Sequence, residues 1–351
     1  MRNSTTVDVF CGAGGLTHGF ILEGFNVVAG FDADETCRFP FEHNNRGAQF
    51  ICKKIEDIDP KEIVELYPKD GIKILVGCAP CQPFSRYTKK KPDKAGKWKL
   101  VSEFADLICA VDPDIVSMEN VPSLVSYQGG SIYETFLDKL TAHGYRVSAY
   151  PGVFCPDYGI PQSRTRLVLF ASRFGAIELI PPTHPQDKYR TVKDTIGSLA
   201  AIRAGEVNAD DPLHRAAGLS ELNIRRIRAS RPGGTWRDWG EDLVPACFKK
   251  ESGSGYVSVY GRMTWKDLAP TITTECHGYG SGRFGHPEQD RAISLREAAL
   301  LQTFPPDYAF VELGKPHHYD HVGRHIGNAV PVDLARIIAK SIRQHLDSLV
   351  S

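Results

Sequence analysis

The segment IKILVG (Ile72–Gly77) runs directly into CAPCQPFS (Cys78–Ser85). The branched apolar residues of the first part predict a buried strand, and the two prolines of the second part predict a stiff turn after it. Cys81 therefore lies on a turn that leaves the carboxyl end of a strand. In an open α/β sheet this edge is where ligands bind and chemistry occurs. We accordingly interpret Cys81 as a nucleophile and not as a core side chain.

Similar apolar runs recur along the first half of the chain and alternate with helix-like segments. The runs lie at residues 7–10, 27–31, 72–76, 115–118 and 166–170. Alternation of this kind predicts the α/β class, with a doubly wound, mostly parallel sheet that is covered by helices on both faces.

After Ser172 the chain becomes rich in Pro, Gly, Arg and Trp, and it shows few helical or strand periods. We interpret this stretch as a second, smaller domain of irregular structure. The predicted division is residues 1–172 plus 322–351 for the sheet domain, 173–290 for the irregular domain, and 291–321 for a connecting hinge.

The bulk composition excludes several classes of protein. With 42% hydrophobic and 24% charged residues among 351, the chain is expected to be a soluble globular protein. No apolar stretch has the length needed to cross a bilayer, and an early strand-like segment leads us to expect no signal peptide. Nine cysteines, an odd number scattered over the chain, fit reduced thiols in a cytosolic protein better than a disulfide framework.

The net charge is zero, which argues against a nonspecific nucleic-acid coat protein, although local charge still decides what binds at a groove. Two stretches are basic: Arg86, Lys89, Lys90, Lys91, Lys94, Lys97 and Lys99 after Cys81, and Arg225, Arg226, Arg228, Arg231 and Arg237. Such runs are ordinarily solvated surface. The first lies beside the candidate nucleophile, and this position favours a polyanionic substrate.

The segment DVFCGAGG (Asp8–Gly15) predicts a strand, a glycine turn and a helix. Glycines allow a ligand to approach the backbone, and the helix start favours negative charge. Thr17 stands where a dinucleotide fingerprint needs a glycine, so an adenosine-containing cofactor fits better than a nicotinamide one. Asp32, at the end of the next strand, is placed either to hold a ribose or to cap the following helix.

Other charged residues follow further strands. Glu119 ends an apolar run and is either a general acid or a helix cap. Arg164 and Arg166 are two residues apart, and strand alternation predicts that both point to one face, where they can hold a phosphate, carboxylate or carbonyl. Cys78 and Cys81 also form a C-x-x-C, but the setting fits neither a thioredoxin-like pair nor a zinc site. We therefore interpret Cys78 as a packing residue.

Read singly, none of these motifs identifies a function, but their combination and order resemble the DNA (cytosine-5)-methyltransferase family. The resemblance extends from Asp8 to about Val332 and comprises these segments: residues 8–15, PCQ at 80–82, ENV at 119–121, QSRTR at 162–166, APTIT at 269–273, residues 296–305, and GNAVP at 327–331. It implies an S-adenosylmethionine-dependent methyltransferase fold, S-adenosylmethionine as methyl donor and a cytosine in duplex DNA as acceptor. The irregular domain then corresponds to the target-recognition region.

The resemblance also assigns roles to residues. Cys81 adds to carbon 6 of a flipped cytosine, Glu119 contacts ring nitrogen 3, and Arg164 and Arg166 hold the base and support the glutamate. Asp32 is expected to hold the ribose and Asp57 the adenine amino group. The residues implied for the cofactor are Phe10, Cys11, Gly12, Ala13, Gly14, Gly15, Asp32, Asp57, Ile58, Pro80, Leu100, Asn328, Ala329 and Val330.

DNA contacts are expected from the basic run, as a loop that closes over the duplex, and from the recognition region. The residues are Gln82, Ser85, Arg86, Lys89, Lys90, Lys91, Arg262, Thr271, His277 and Arg283. Arg262, His277 and Arg283 are candidate donors to guanine, with phosphate contact as the alternative. Two positions depart from the family pattern: Lys97–Leu100 lacks the usual Asp-x-Arg pair, and His325 stands where glutamine is common.

We therefore expect a monomeric bacterial modification methyltransferase of the cytoplasm, acting on duplex DNA and paired with an independently acting restriction endonuclease. A lone regulatory DNA methyltransferase would have the same sequence features. A transfer-RNA cytosine methyltransferase is disfavoured by the long recognition region. A catalytically silent DNA-binding protein is disfavoured because Cys81, Glu119 and Arg164 are all present.

Overall fold

The structure is a computed structural model that describes residues 4–80, 99–315 and 318–349. The strands within these ranges are β1 (Ser4–Val9), β2 (Asn26–Asp32), β3 (Gln49–Cys52), β4 (Ile72–Gly77), β5 (Ile115–Asn120), β6 (Arg146–Phe154), β7 (Gln162–Ser163), β8 (Thr165–Ser172) and β9 (Ala269–Pro270). The α-helices are α1 (Gly15–Leu22), α2 (Arg38–Asn44), α3 (Pro60–Leu66), α4 (Lys99–Val111), α5 (Ser131–Ala142), α6 (Val192–Ile196), α7 (Glu221–Ala229), α8 (Glu251–Ser254), α9 (Leu295–Leu301), α10 (Tyr319–Asn328) and α11 (Val332–Ser348).

The chain divides into two compact units. The first unit comprises Met1–Tyr158, Thr165–Thr183 and Val330–Ser351, and the second comprises Gly159–Arg164 and His184–Ala329. No helix of the described ranges is long and apolar enough to span a membrane.

The first unit is built on a seven-stranded sheet with the order β3-β2-β1-β4-β5-β8-β6. Neighbours from β3 to β5 are parallel, whereas β8 runs antiparallel to both β5 and β6. Every residue of β5 is buried, and since side chains alternate between the two faces of a strand, both faces of the sheet are covered there. The predicted α/β fold with a mostly parallel sheet is confirmed.

Helices pack on this sheet through regularly spaced apolar residues. In α4 the buried side chains Val101, Phe104, Ile108 and Val111 recur at helical spacing and join the core of β1, β4 and β5. Helix α11 lies close against α1, because a Cβ atom added at Gly19 would fall 2.4 Å from the Cβ of Ala335. The first and last helices of the unit are thus packed together.

The second unit contains short helices and the two-stranded β7–β9 ladder, as its irregular composition predicts. A polar core stabilises it: Arg291 is fully buried and donates to both carboxylate oxygens of Glu297, each at 2.7 Å. Bidentate pairs of an arginine with a carboxylate are among the stronger hydrogen-bonded contacts in proteins.

The unit boundaries differ from the predicted domain boundaries at both ends. Residues 173–183 belong to the first unit, where the amide of Ile180 donates to the Ser341 hydroxyl at 3.1 Å. Residues 291–321, expected to be a hinge, lie inside the second unit because the buried Arg291–Glu297 pair is part of its core. The loss of helical and strand periodicity after Ser172 therefore marks a change in the sequence pattern, but it does not mark the boundary between the two compact units.

Candidate active site

A strained glycine turn joins β1 to α1. Phe10 and Gly12 have φ values of 63° and 51°, and Gly14, which precedes the helix, is also left-handed. A Cβ added at Gly12 would meet no atom within 4 Å, so space is open beside this backbone in the structure described. Left-handed φ at a non-glycine residue such as Phe10 is costly and clusters at functional sites.

Asp32, the last residue of β2, braces this turn. Its carboxylate accepts the amide of Gly12 at 2.9 Å and the amide of Asp34 at 2.9 Å. Burial raises the pKa of the Asp32 carboxyl group above its usual value. The cap of the following short helix is Asp34, which accepts from the amide of Thr36, so Asp32 is not that cap.

Asp8 is a buried acid beneath the same turn. The hydroxyl of Thr17 donates to its Oδ2 at 2.7 Å, while its Oδ1 accepts no hydrogen bond from the described part of the chain. Burial raises the pKa of Asp8 to about 7 and also raises the pKa of the Cys11 thiol well above its usual value. Cys11 is therefore held as an unreactive thiol, and Asp8 is a site residue that the motif alone did not single out.

The other predicted cofactor residues of the first unit have varied exposure. Asp57 and Pro80 are exposed, Leu100 is partly buried against the core, and Ile58 and Val330 are buried. In the second unit Asn328 is exposed at the end of α10, and the carbonyl of Ala329 accepts from Arg164 and Gln302.

Glu119 is the charged centre of the carboxyl edge of the sheet. It is 3% exposed, and the guanidinium Nε of Arg166 lies 2.9 Å from its Oε1 as an ion pair. The Cys78 thiol donates to its Oε2 at 2.7 Å. The structure thus brings together Glu119 and Arg166 as expected, and it adds a contact from Cys78 that the interpretation of Cys78 as a packing residue did not include.

Arg164 and Arg166 do not share an acceptor. Arg166 pairs with Glu119, whereas the buried Arg164 donates to the backbone carbonyls of Ile272 at 3.3 Å and Ala329 at 3.4 Å. The one-face prediction is wrong because β7 ends one residue before Arg164 and β8 begins one residue after it. Arg164 therefore lies between strands, where alternation does not apply.

Two of the residues predicted to contact DNA bases make hydrogen bonds within the second unit instead. Arg262 is buried and donates to three backbone carbonyls and to Asp290, while His277 is buried and bonded to Asp320 at 3.2 Å. In this conformation neither side chain faces solvent, so neither is available to a base edge. Thr271 and Arg283 are partly exposed.

Several predicted site residues lie outside the described ranges. They are Cys81, Gln82, Ser85, Arg86, Lys89, Lys90 and Lys91.

Asn120 is a further candidate residue of the active site, and the sequence motifs did not predict it. It is buried next to Glu119, and its side-chain amide donates to the carbonyl of Ala79 at 3.1 Å. A polar side chain directly after a candidate acid at a strand end was the signal available for it.

Known proteins resemble the chain over nearly its whole length. The model of the C-5 cytosine-specific DNA methylase family matches residues 4–344. The Type II methylase M.HgiDII of Herpetosiphon aurantiacus is 57% identical over 343 residues, covering 98% of this chain and 96% of that protein. The Type II methyltransferase M.Eco47II of Escherichia coli is 28% identical, with 98% and 80% covered.

Solved structures show the same fold. A crystal structure described as a DNA modification methyltransferase encoded within an Escherichia coli prophage has a TM-score of 0.74 at 20% identity, covering 98% of this chain and 99% of that one. The resemblance inferred from the motifs is confirmed. The chain belongs to the C-5 cytosine-specific DNA methylase family and is a DNA (cytosine-5)-methyltransferase.

Proposed function

We propose that the chain methylates carbon 5 of a cytosine in a specific duplex DNA sequence, by base flipping and transient covalent attack of Cys81 on carbon 6. The observation that carries this proposal is the buried Glu119 at the end of β5, paired with Arg166 and bonded by Cys78. Cys78 begins the turn that leads to Cys81 three residues later. A buried acid at the end of β5, and a cysteine four residues beyond the end of β4 in the sequence, suit acid-assisted covalent catalysis.

The residues of the glycine turn fit S-adenosylmethionine as the methyl donor. Open space beside Gly12 admits a ligand to the backbone, and the Asp32 carboxylate is suited to accept ribose hydroxyls. The Oδ1 atom of Asp8 is buried and accepts no hydrogen bond among the described residues, which favours a cationic ligand nearby. When bound, this cofactor supplies an electrophilic methyl group.

Further residues are proposed to complete that cofactor site. Asp57 would hold the adenine amino group, and the turn, strand-end and helix-end residues would line the remainder: Phe10, Cys11, Ala13, Gly14, Gly15, Ile58, Pro80, Leu100, Asn328, Ala329 and Val330.

The chain's own groups perform the activation of the base. Carbon 5 of cytosine is a poor nucleophile, so the Cys81 thiolate forms a bond to carbon 6 while Glu119 stabilises the charge that develops at nitrogen 3. After methyl transfer, water takes the proton from carbon 5, the electrons of that C–H bond re-form the double bond between carbons 5 and 6, and the bond between carbon 6 and sulfur breaks, which returns its electron pair to Cys81. Arg166 supports Glu119, and Arg164 holds the carbonyls of Ile272 and Ala329 in place.

Duplex DNA is the proposed partner, and the target cytosine must leave the stack for its carbon 6 to be reached. The basic run after Cys81 would meet phosphates, and affinity would then fall as salt rises. Among recognition residues we retain Thr271 and Arg283, because they are partly exposed whereas Arg262 and His277 are buried. Thr271 donates to the Ser163 carbonyl at 2.8 Å and Arg283 to the Gly233 carbonyl at 3.1 Å, so a base contact would compete with these bonds. Most of the proposed cofactor residues and Cys81 belong to the first unit, and the retained recognition residues belong to the second.

We further propose that the enzyme is a monomer and the modification member of a restriction–modification system. The support is its 57% identity to a protein named as a Type II methylase. A lone regulatory methyltransferase remains the alternative.

The covalent step is tested with duplex DNA that carries 5-fluorocytosine, whose carbon 5 has no proton to lose after methylation. We expect wild-type protein, in the presence of S-adenosylmethionine, to form an adduct with long duplex DNA in which 5-fluorocytosine replaces cytosine. This adduct should survive denaturation of the protein. Cys81→Ala should form none and should lose methyl transfer, yet still bind S-adenosylmethionine by calorimetry. Cys52→Ala, an exposed thiol, is the control. Methylation by Cys81→Ala would overturn the mechanism.

A further inference from the structure

We propose that Cys78 is a positioning residue for Glu119: its thiol holds the carboxylate in the orientation that meets the flipped cytosine. This inference rests on the proposed function, and it gives the two cysteines of the C-x-x-C separate tasks. Cys81 reacts, and Cys78 acts only through Glu119.

The register of the sheet places the two side chains together. Strands β4 and β5 are parallel, and Gly77 pairs with Met118, so Cys78 and Glu119 are the next residues along the two strands. Gly77 also lies close to β1, because a Cβ added there would fall 2.8 Å from the carbonyl oxygen of Val9. The proximity of thiol and carboxylate is therefore set by the sheet.

The turn after β4 is also held on both sides. The Cys78 amide donates to the Val9 carbonyl at 3.4 Å, and the side-chain amide of Asn120 donates to the Ala79 carbonyl at 3.1 Å. These bonds tie the Cys78 backbone to β1 and to β5, its two neighbours in the sheet. The backbone that carries the Cys78 side chain is thus held in place at the end of β4.

The contacts of the carboxylate leave part of it unused. An ionised carboxylate has about four acceptor positions. The Cys78 thiol takes one on Oε2 at 2.7 Å, whereas Oε1 faces the Arg166 charge at 2.9 Å but accepts no aligned hydrogen bond from the described residues. Arg166 therefore attracts the Glu119 carboxylate through its charge, whereas the hydrogen bond from Cys78 orients the carboxylate. No other donor of the described residues fills the remaining acceptor positions, and we assign these to a base.

Removing the donor should loosen this orientation without removing the acid. Alanine at position 78 cannot donate, so only the Arg166 contact would orient Glu119. Serine can donate an O–H bond to the same oxygen at nearly the same size. A packing role predicts the opposite order, since serine would place a hydroxyl where a thiol packs.

The test uses the full chain with Cys78→Ala, Cys78→Ser and a control, Cys109→Ala on α4. Initial rates of tritiated methyl transfer from S-adenosylmethionine are measured on plasmid DNA from a methylation-deficient host, together with thermal unfolding. A hydrogen bond to a charged group supports a loss of about tenfold in kcat for Cys78→Ala, with the KM for DNA changed less than about twofold. Cys78→Ser should stay within about threefold of wild type, and Cys109→Ala should match it.

Equal rates for Cys78→Ala and wild type would overturn this inference alone, as would equal losses in the alanine and serine variants. If Cys78→Ala does not fold, a loss of more than about tenfold in folded Cys78→Ser overturns it. An inactive wild-type protein would instead overturn the proposed function, and this inference with it. The wild-type rate therefore separates the two failures.

Discussion

Each unit of the molecule contains one buried glutamate paired with an arginine, and the two pairs are built differently. In the second unit Arg291 donates to both oxygens of Glu297 at 2.7 Å, and the Ser294 amide adds a third bond at 2.6 Å. In the first unit Arg166 approaches one oxygen of Glu119, and a thiol donates to the other. Both carboxylates are almost fully buried, at 1% and 3% exposed.

The difference separates a structural acid from a reactive one. Burial by itself raises the pKa of Glu297, but the hydrogen bonds and charge of Arg291 outweigh it and lower that pKa. Glu297 also closes a capping box with Ser294 at the start of α9, so its acceptor capacity is used by the protein. Among the described residues, Glu119 at its strand end has acceptor positions that no donor fills. A buried acid with unused acceptors is a group retained for a substrate.

Replacement of the reactive acid should have the largest effect. We expect Glu119→Gln to lower kcat for DNA methylation by roughly 10²–10⁴-fold, because the amide cannot deliver a proton to nitrogen 3. Its unfolding free energy should change by less than about 2 kcal/mol, since the amide keeps the shape and one acceptor. Methyl-transfer rates and urea unfolding measure both. Substantial activity in Glu119→Gln would remove the distinction drawn between the two acids.

Replacement of the structural acid should act on stability instead. Glu297→Ala leaves the Arg291 guanidinium buried without its partner, and such a loss costs about 3–5 kcal/mol. Glu312→Ala is the matched control, because its pair with Lys315 is exposed and worth at most about 1 kcal/mol. Urea unfolding of both variants gives the comparison. Equal stability of Glu297→Ala and wild type would show that the buried pair does not hold the second unit together.

The sequence predicted the regular part of the first unit well. Apolar runs at 72–76 and 115–118 correspond to strands at Ile72–Gly77 and Ile115–Asn120, because continuous branched residues are typical of strands buried on both faces. The same pattern predicted that Glu119 lies at the end of the second of these strands.

Contacts between distant positions could not be predicted in this way. Cys78 and Glu119 are 41 residues apart, and only the adjacency of β4 and β5 brings them together. Arg262 lies in a segment without periodicity, so its burial against the Ile227 carbonyl has no local signature. In the sequence, an arginine of such a segment is consistent with a DNA contact whether its side chain faces solvent or the core.

The smallest expected effect, per pH unit, concerns the titration of two buried groups, and it has opposite signs in the two units. Burial lowers the pKa of His286 in the second unit to about 4, below its ordinary 6.5, so the unfolded chain takes up the proton first and stability falls as pH drops from about 6.5 to about 4. Burial raises the pKa of Asp8 in the first unit from 3.8 to about 7, so the unfolded chain releases its proton first and stability falls as pH rises through that window.

Each slope is limited to about 1.4 kcal/mol per pH unit, the value for one proton. Asp8→Asn should gain stability relative to wild type as pH rises from 4 to 7, and His286→Asn should gain relative to wild type as pH falls from 6.5 to 4. Amide hydrogen exchange at four pH values in that range reports on each unit separately. Because each variant is compared with wild type at the same pH, contributions from other groups cancel. Parallel curves for variant and wild type would mean that the group titrates alike in the folded and unfolded chains, and that its burial does not set its charge.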